Sequence, residues 1–218
     1  MKRSLFSGLV LFALISSAAA ADLPRAVPYA APAYPVGYNW TGFYLGINGG
    51  GAWGRSTWDG YAVTNSPSGG MIGLTAGYNW QGAGPWVFGV EGDIDWTAIS
   101  GSSLCAVGTT CETKNSWLGT VRGRVGYAWD RIMPYVTGGA AFGNINANVT
   151  GFPGATDSRL GWTIGLGVEA VLMGRLTAKA EYLYADLGNM NCSAAACGVA
   201  TNVDLRTSIL RAGLNYRF

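Results

Sequence analysis

The 218-residue chain contains no histidine. Without imidazole, the Ser-His-Asp and Cys-His arrangements that activate nucleophiles at neutral pH are unavailable. The commonest ligand of a catalytic zinc is missing too. Charge is equally scarce: Asp, Glu, Lys and Arg make up 12% of the residues, against about 25% in a typical soluble domain. A surface in water normally needs more charge than this, whereas a surface in lipid does not. There is no basic run, and losing Lys2 and Arg3 with the N-terminal segment leaves twelve basic against twelve acidic residues. That balance argues against a nucleic-acid partner. Beyond the first 21 residues, no apolar stretch reaches the roughly 20 residues of a membrane-spanning helix.

What is present begins with an export signal. Lys2 and Arg3 precede an apolar stretch from Leu5 to Ile15, and Ala19-Ala20-Ala21 forms an A-x-A cleavage site before Asp22. Residues 1–21 are therefore expected to be removed. Over 22–39, prolines at 24, 28, 32 and 35 deny the backbone its donors and predict an extended periplasmic tether. The remainder, 40–218, carries eight runs of period-two alternation, the mark of strands with unlike faces. They span roughly 42–55, 70–81, 86–99, 115–129, 133–146, 158–173, 175–187 and 203–218. Each is long enough for a tilted strand to cross a bilayer, which takes about 9–11 residues. Tight turns at 82–85, 130–132 and 173–175 alternate with longer loops at 56–69, 100–114, 147–157 and 188–202. This pattern predicts an all-β fold: an eight-stranded antiparallel transmembrane β-barrel with short periplasmic turns and longer extracellular loops. An even strand count puts both barrel ends on the periplasmic side.

Alternation alone fits a soluble barrel as well, so residue types must choose the outward face. One face carries Ile72, Leu74, Tyr78 and Trp80, then Phe88, Val90, Ile94 and Trp96, then Val121, Val125 and Tyr127. Aromatics gather near strand ends: Trp40, Phe43, Trp80, Trp86, Trp129 and Phe218 on the turn side, Trp53, Trp96, Trp117, Trp162 and Tyr184 towards the loops. Two such belts match the girdles at membrane interfaces. The other face is small and polar, with Gly46, Asn48, Gly73, Thr75, Gly77 and Asn79. It also carries Glu91, Asp93 and Asp95 on one strand, Arg122 and Arg124 on the next, then Glu169, Lys179, Glu181 and Arg211. A narrow lumen needs small residues and paired charges, because an eight-stranded interior is only wide enough for side chains. The fifth run, with Gly138, Gly139, Ala140 and Ala141, has no decisive parity.

The acidic row beside Arg122 and Arg124 is the main polar constellation. It reads either as a selectivity ring or as an ion-paired plug that fills the lumen, and the narrow interior favours the plug. No catalytic residue is expected, and no metal or cofactor; carboxylate-only chemistry by Glu91, Asp93 or Glu181 has no supporting pattern. Cys105 and Cys111, and Cys192 and Cys197, form close pairs within single loops, which in an exported chain predicts two local disulfides. Gly165-x-Gly167-x-x-Ala170 imitates a dinucleotide fingerprint, but it lies inside an alternating strand rather than at a strand-to-helix turn.

The segment Tyr38-Asn39-Trp40-Thr41-Gly42-Phe43-Tyr44-Leu45-Gly46 resembles the start of small outer-membrane immunogenic proteins of alphaproteobacteria. Gly77-Tyr78-Asn79-Trp80, Gly89-Val90-Glu91-Gly92-Asp93, Arg122-Gly123-Arg124-Val125-Gly126-Tyr127 and Ala212-Gly213-Leu214-Asn215-Tyr216-Arg217-Phe218 extend the likeness along nearly the whole chain. The resemblance implies an OmpA-like eight-stranded barrel without a peptidoglycan-binding domain, often labelled porin-like. It implies a surface-exposed protein of a Gram-negative outer membrane, set in lipid and lipopolysaccharide and supporting envelope integrity. Tyr216 and Phe218 look like the signal read by the barrel-assembly machinery. Some relatives bind haemin; the missing histidine leaves only tyrosine or cysteine as axial ligands, so that function is not carried over. Loop aromatics such as Trp58 and Tyr61 leave room for a loop-borne ligand or host adhesion.

Overall fold

The computed structural model describes residues 37–106 and 108–218. The expected signal peptide and residues 22–36 of the expected tether lie outside them. Nine strands follow one another: β1 (Gly42–Trp58), β2 (Val63–Asn65), β3 (Ser68–Gln81), β4 (Trp86–Ala106), β5 (Thr109–Tyr127), β6 (Ile132–Val149), β7 (Ala155–Met173), β8 (Leu176–Cys192) and β9 (Thr201–Arg217). The long strands pair antiparallel in sequence order, and β9 returns to β1, with Tyr44 opposite Arg217 and Trp58 opposite Val203. Closure leaves those eight without a free edge at membrane depth, as a bilayer requires.

The extra strand is β2, which pairs only with the far end of β1, Ser56 opposite Asn65. The strands also run further than the alternation indicated. β4 continues to Ala106 and β5 starts at Thr109, so the expected loop 100–114 is mostly a hairpin. The cause is solvent. In this region the outward face meets water, so strands no longer announce themselves by apolar residues pointing out.

β9 displays the change along one backbone. Leu210, Leu214, Tyr216 and Phe218 are exposed, while Arg211, Asn215 and Arg217 are buried. Towards the loops the order reverses: Val203, Leu205 and Ile209 are buried, and Arg206 is exposed. β6 obeys the same rule, which resolves the fifth run. Val136 and Phe142 point out, Tyr135, Thr137 and Ala141 point in, and Ile145, Ala147 and Val149 fill the loop end.

Phe43, Trp80, Trp86, Trp129 and Phe218 ring the turn end, with Trp53, Trp96 and Trp162 at the opposite border, all exposed. Trp40 is a correction to the expected belt. It is 0% exposed, because the chain bends inward before β1. The Trp40 amide donates to Gln81 Oε1 at 2.9 Å and its indole N–H to the Asp130 carbonyl at 3.2 Å. Tyr38 packs edge-on against it at 5.1 Å.

Candidate functional site: the filled lumen

The interior is stacked in three layers. At the turn end, Trp40, Val87, Met133, Tyr135 and Val171 form an apolar cluster. Arg217 lies over the Trp40 and Tyr38 rings, 4.9 and 5.3 Å from their centroids. At the loop end a larger apolar cluster includes Trp58, Leu118, Ile145, Leu183, Leu187, Met190, Leu205 and Ile209. Between them lies the charged layer.

All nine residues singled out from the alternation project into that middle layer and are buried. Glu91 stands directly opposite Arg122 across β4 and β5, and Glu181 opposite Arg211 across β8 and β9. Arg122 reaches Glu91 at 2.5 Å, Asp93 at 2.8 Å and Glu181 at 2.6 Å. Arg211 spans Asp93 at 2.7 Å, Asp95 at 2.8 Å and Glu181 at 2.9 Å. Arg124 pairs with Glu169 at 2.7 Å and more loosely with Glu91 at 3.4 Å. Lys179 closes the set on Glu91 at 3.0 Å. Two guanidiniums thus tie β4, β5, β8 and β9 together across the lumen, with the planar, multiply donating geometry that suits arginine to this task. Of the three acids in the row on β4, Glu91 and Asp93 pair with Arg122, and Asp95 does not. Asp95 instead meets Arg211, from a strand on the far side of the barrel.

Several network members escaped the sequence reading because they are uncharged or lie near the rim. Tyr44 donates to Glu91 Oε2 at 2.8 Å, Thr120 to Asp93 at 2.8 Å, Thr177 to Glu169 at 2.6 Å and Asn215 to Glu169 at 3.2 Å. Tyr135 carries the Arg124 guanidinium 4.1 Å above its ring. One signal for the two tyrosines was available. Tyr44 sits opposite Gly77 and Tyr135 opposite Gly167, and a Cβ on either glycine would overlap the facing ring. Gly167 therefore serves packing, which disposes of the apparent dinucleotide motif. Among the described residues, no group of three or more acidic, cysteine or histidine side chains has a geometry that could hold a metal.

Both cysteine pairs are disulfides, Cys105–Cys111 and Cys192–Cys197, with Cα separations of 5.7 and 6.0 Å. The second ties the end of β8 to a short helix, Ala194–Cys197. Trp58 and Tyr61 are not free loop aromatics. Trp58 is buried and its indole N–H donates to Thr113 Oγ1 at 3.1 Å, while the Tyr61 hydroxyl donates to the Cys197 carbonyl. They hold the loop-end cluster together.

A closed barrel of eight long strands, apolar outside and charge-filled within, defines a transmembrane β-barrel protein of small size. The chain belongs to the outer membrane protein beta-barrel domain family, whose family model matches residues 7–218. It is 38% identical to the 31 kDa outer-membrane immunogenic protein of Brucella melitensis over 93% of this chain and 94% of that protein. It is 34% identical to the 25 kDa outer-membrane immunogenic protein of Brucella canis, over 83% of this chain and 80% of that one. Among solved structures, Neisserial surface protein A is similar with a TM-score of 0.48 and 17% identity, over 82% of this chain and 98% of that one. The protein is therefore an outer-membrane β-barrel protein.

Proposed function

We propose that this protein is a closed structural element of the outer membrane that supports envelope integrity and does not serve as a solute path. One observation carries the reading: the lumen is occupied at three successive depths, with the ion-paired layer between two apolar clusters. A pore needs a continuous polar path, and each apolar cluster interrupts one. In this reading both barrel ends lie in the periplasm and the loop end stands outside the cell, where the immunogenic character of the relatives supports surface exposure. Lipid and lipopolysaccharide cover the outward face. Tyr216 and Phe218 project outward at the closing strand, where the barrel-assembly machinery would meet them. No catalytic role is assigned, and no cofactor.

The experiment is deletion of the gene in its native bacterium. A structural role predicts greater sensitivity to detergent and to large antibiotics, with unchanged uptake of small sugars. Slower sugar uptake with an intact permeability barrier would replace this reading with a porin role.

A further inference from the structure

The turn end of the barrel holds a cavity that the filled lumen does not use. It measures about 440 Å³ and lies between Tyr38 and the turns that follow β3 and β5. Tyr38, Pro85, Tyr127 and Trp129 wall it, and Asp130 is the one charged residue among the described residues that line it. The backbone fixes these walls. The Ala128 N–H donates to the Pro85 carbonyl at 2.7 Å, and Gln81 Nε2 to the Gly84 carbonyl at 3.2 Å. Trp129 and Ile132 exchange backbone bonds of 2.7 and 3.0 Å around Asp130 and Arg131. Asp130 has a left-handed φ of 52°, which aspartate and asparagine enter more readily than most residues. A Cβ on Gly37 would overlap Asp130 Oδ1, so the glycine leaves the carboxylate its place. A preformed site costs its ligand little ordering.

The chemistry of the cavity suits a cation. Aromatic faces attract one through the ring quadrupole, and alkylammonium groups are the ligands that such cages take. Tyr127 and Trp129 stand nearly perpendicular, at 84° with centroids 6.2 Å apart, and so offer faces in two planes. Asp130 and Arg131 are exposed, and neither forms an ion pair among the described residues. Arg217 does not neutralise Asp130; it is buried against the Tyr38 and Trp40 rings. Trp129 is 71% exposed and belongs to the aromatic ring at the membrane border, so the cavity adjoins the layer of lipid headgroups.

We propose that this cavity binds the headgroup of a zwitterionic phospholipid. The alkylammonium sits against Tyr127, Trp129 and the Asp130 carboxylate, and the phosphate meets Arg131. One charge of each sign on one turn, unpaired with the other, matches a headgroup that carries both. The acyl chains then run along the exposed faces of Trp86 and Trp129. The proposal rests on the reading above only in assigning that lipid to the periplasmic leaflet. A conducting lumen would leave its test unaffected, and a failure of lipid selectivity would leave the closed barrel standing.

The test is native mass spectrometry of the purified protein in detergent, with phosphatidylethanolamine and phosphatidylglycerol of identical acyl chains supplied in equal amounts. Phosphatidylethanolamine should be retained over phosphatidylglycerol by about fivefold or more. Asp130→Asn keeps the left-handed turn and removes the charge, and Trp129→Leu keeps an apolar border residue and removes the ring. Each should abolish the preference while thermal unfolding followed by circular dichroism stays unchanged. Equal retention of the two lipids by the wild-type protein would overturn the proposal, because acyl chains alone would then account for binding. An undiminished preference in Asp130→Asn would overturn it as well. So would phosphoethanolamine without acyl chains binding as tightly as the lipid, which would make the ligand a soluble amine.

Discussion

Along β9 the outward residues change from Asp204, Arg206 and Ser208 to Leu210, Ala212, Leu214 and Tyr216, while the inward ones change from Val203, Leu205 and Ile209 to Arg211, Asn215 and Arg217. The backbone and its parity continue unbroken through the change. Only the surroundings differ. At the loop end water lies outside the barrel, so the apolar side chains withdraw inward, as in any soluble protein. In the membrane band lipid lies outside, so polar groups move to the lumen, where each must find a partner. The loop end is held by apolar burial. The band is held by its strand ladder, with a charged interior whose pairing costs desolvation and sets which strands meet.

The contrast can be broken most severely in the charged layer. Replacing Arg122 and Arg124 together by alanine strips partners from Glu91, Asp93, Glu169 and Glu181. Breaking a buried pair costs about 3–5 kcal/mol, so urea unfolding in lipid vesicles should show a loss of at least that size. Adding Glu91→Gln and Glu181→Gln should restore part of it. An absence of coupling between the two sets would show that the charges do not act as a unit.

A smaller effect separates the two kinds of apolar residue. Leu205→Ala in the loop-end cluster should cost about 2–5 kcal/mol, because a cavity remains in packed protein. Leu214→Ala on the lipid face should cost far less, because acyl chains are as apolar as leucine and fill the space. Equal losses at the two sites would contradict the assigned facing. Charge insertion sharpens the border itself. Leu214→Arg should cost about 2–4 kcal/mol and Asn202→Arg about 0–1 kcal/mol, following the depth dependence of arginine on a barrel's lipid face.

The most local effect is reduction of the disulfides. Each closes a short loop, for which the chain-entropy estimate is roughly 2 kcal/mol, and Cys111, Cys192 and Cys197 all lie in the loop-end cluster. Hydrogen exchange should quicken there, with the amides of the membrane band unchanged. Faster exchange throughout would mean that the two halves unfold together.

The difference between the halves also explains what could be read in advance. In the band, lipid outside and a narrow lumen inside leave one chemical meaning for each parity, so the facing of Glu91, Arg122, Lys179 and Arg211 was legible. The fifth run was not. Val136 out and Thr137 in follow the membrane rule, whereas Asn144 out and Ile145 in follow the water rule, and the opposing signs cancel across four small residues. The extensions of β4 and β5 were missed for the same reason. Trp40 reads as a belt residue because it precedes a strand, and its inward turn depends on Gln81 and Asp130, far along the chain. The Asp95–Arg211 pair crosses the lumen between strands that do not touch, so no ladder register points to it.

Single-channel recording on the purified protein in planar lipid bilayers tests most directly whether the three layers close the lumen. The wild-type protein should leave the bilayer silent at all voltages that the membrane withstands. A steady, ohmic conductance that rises with salt concentration would contradict the account and make the charged layer the lining of an open pore.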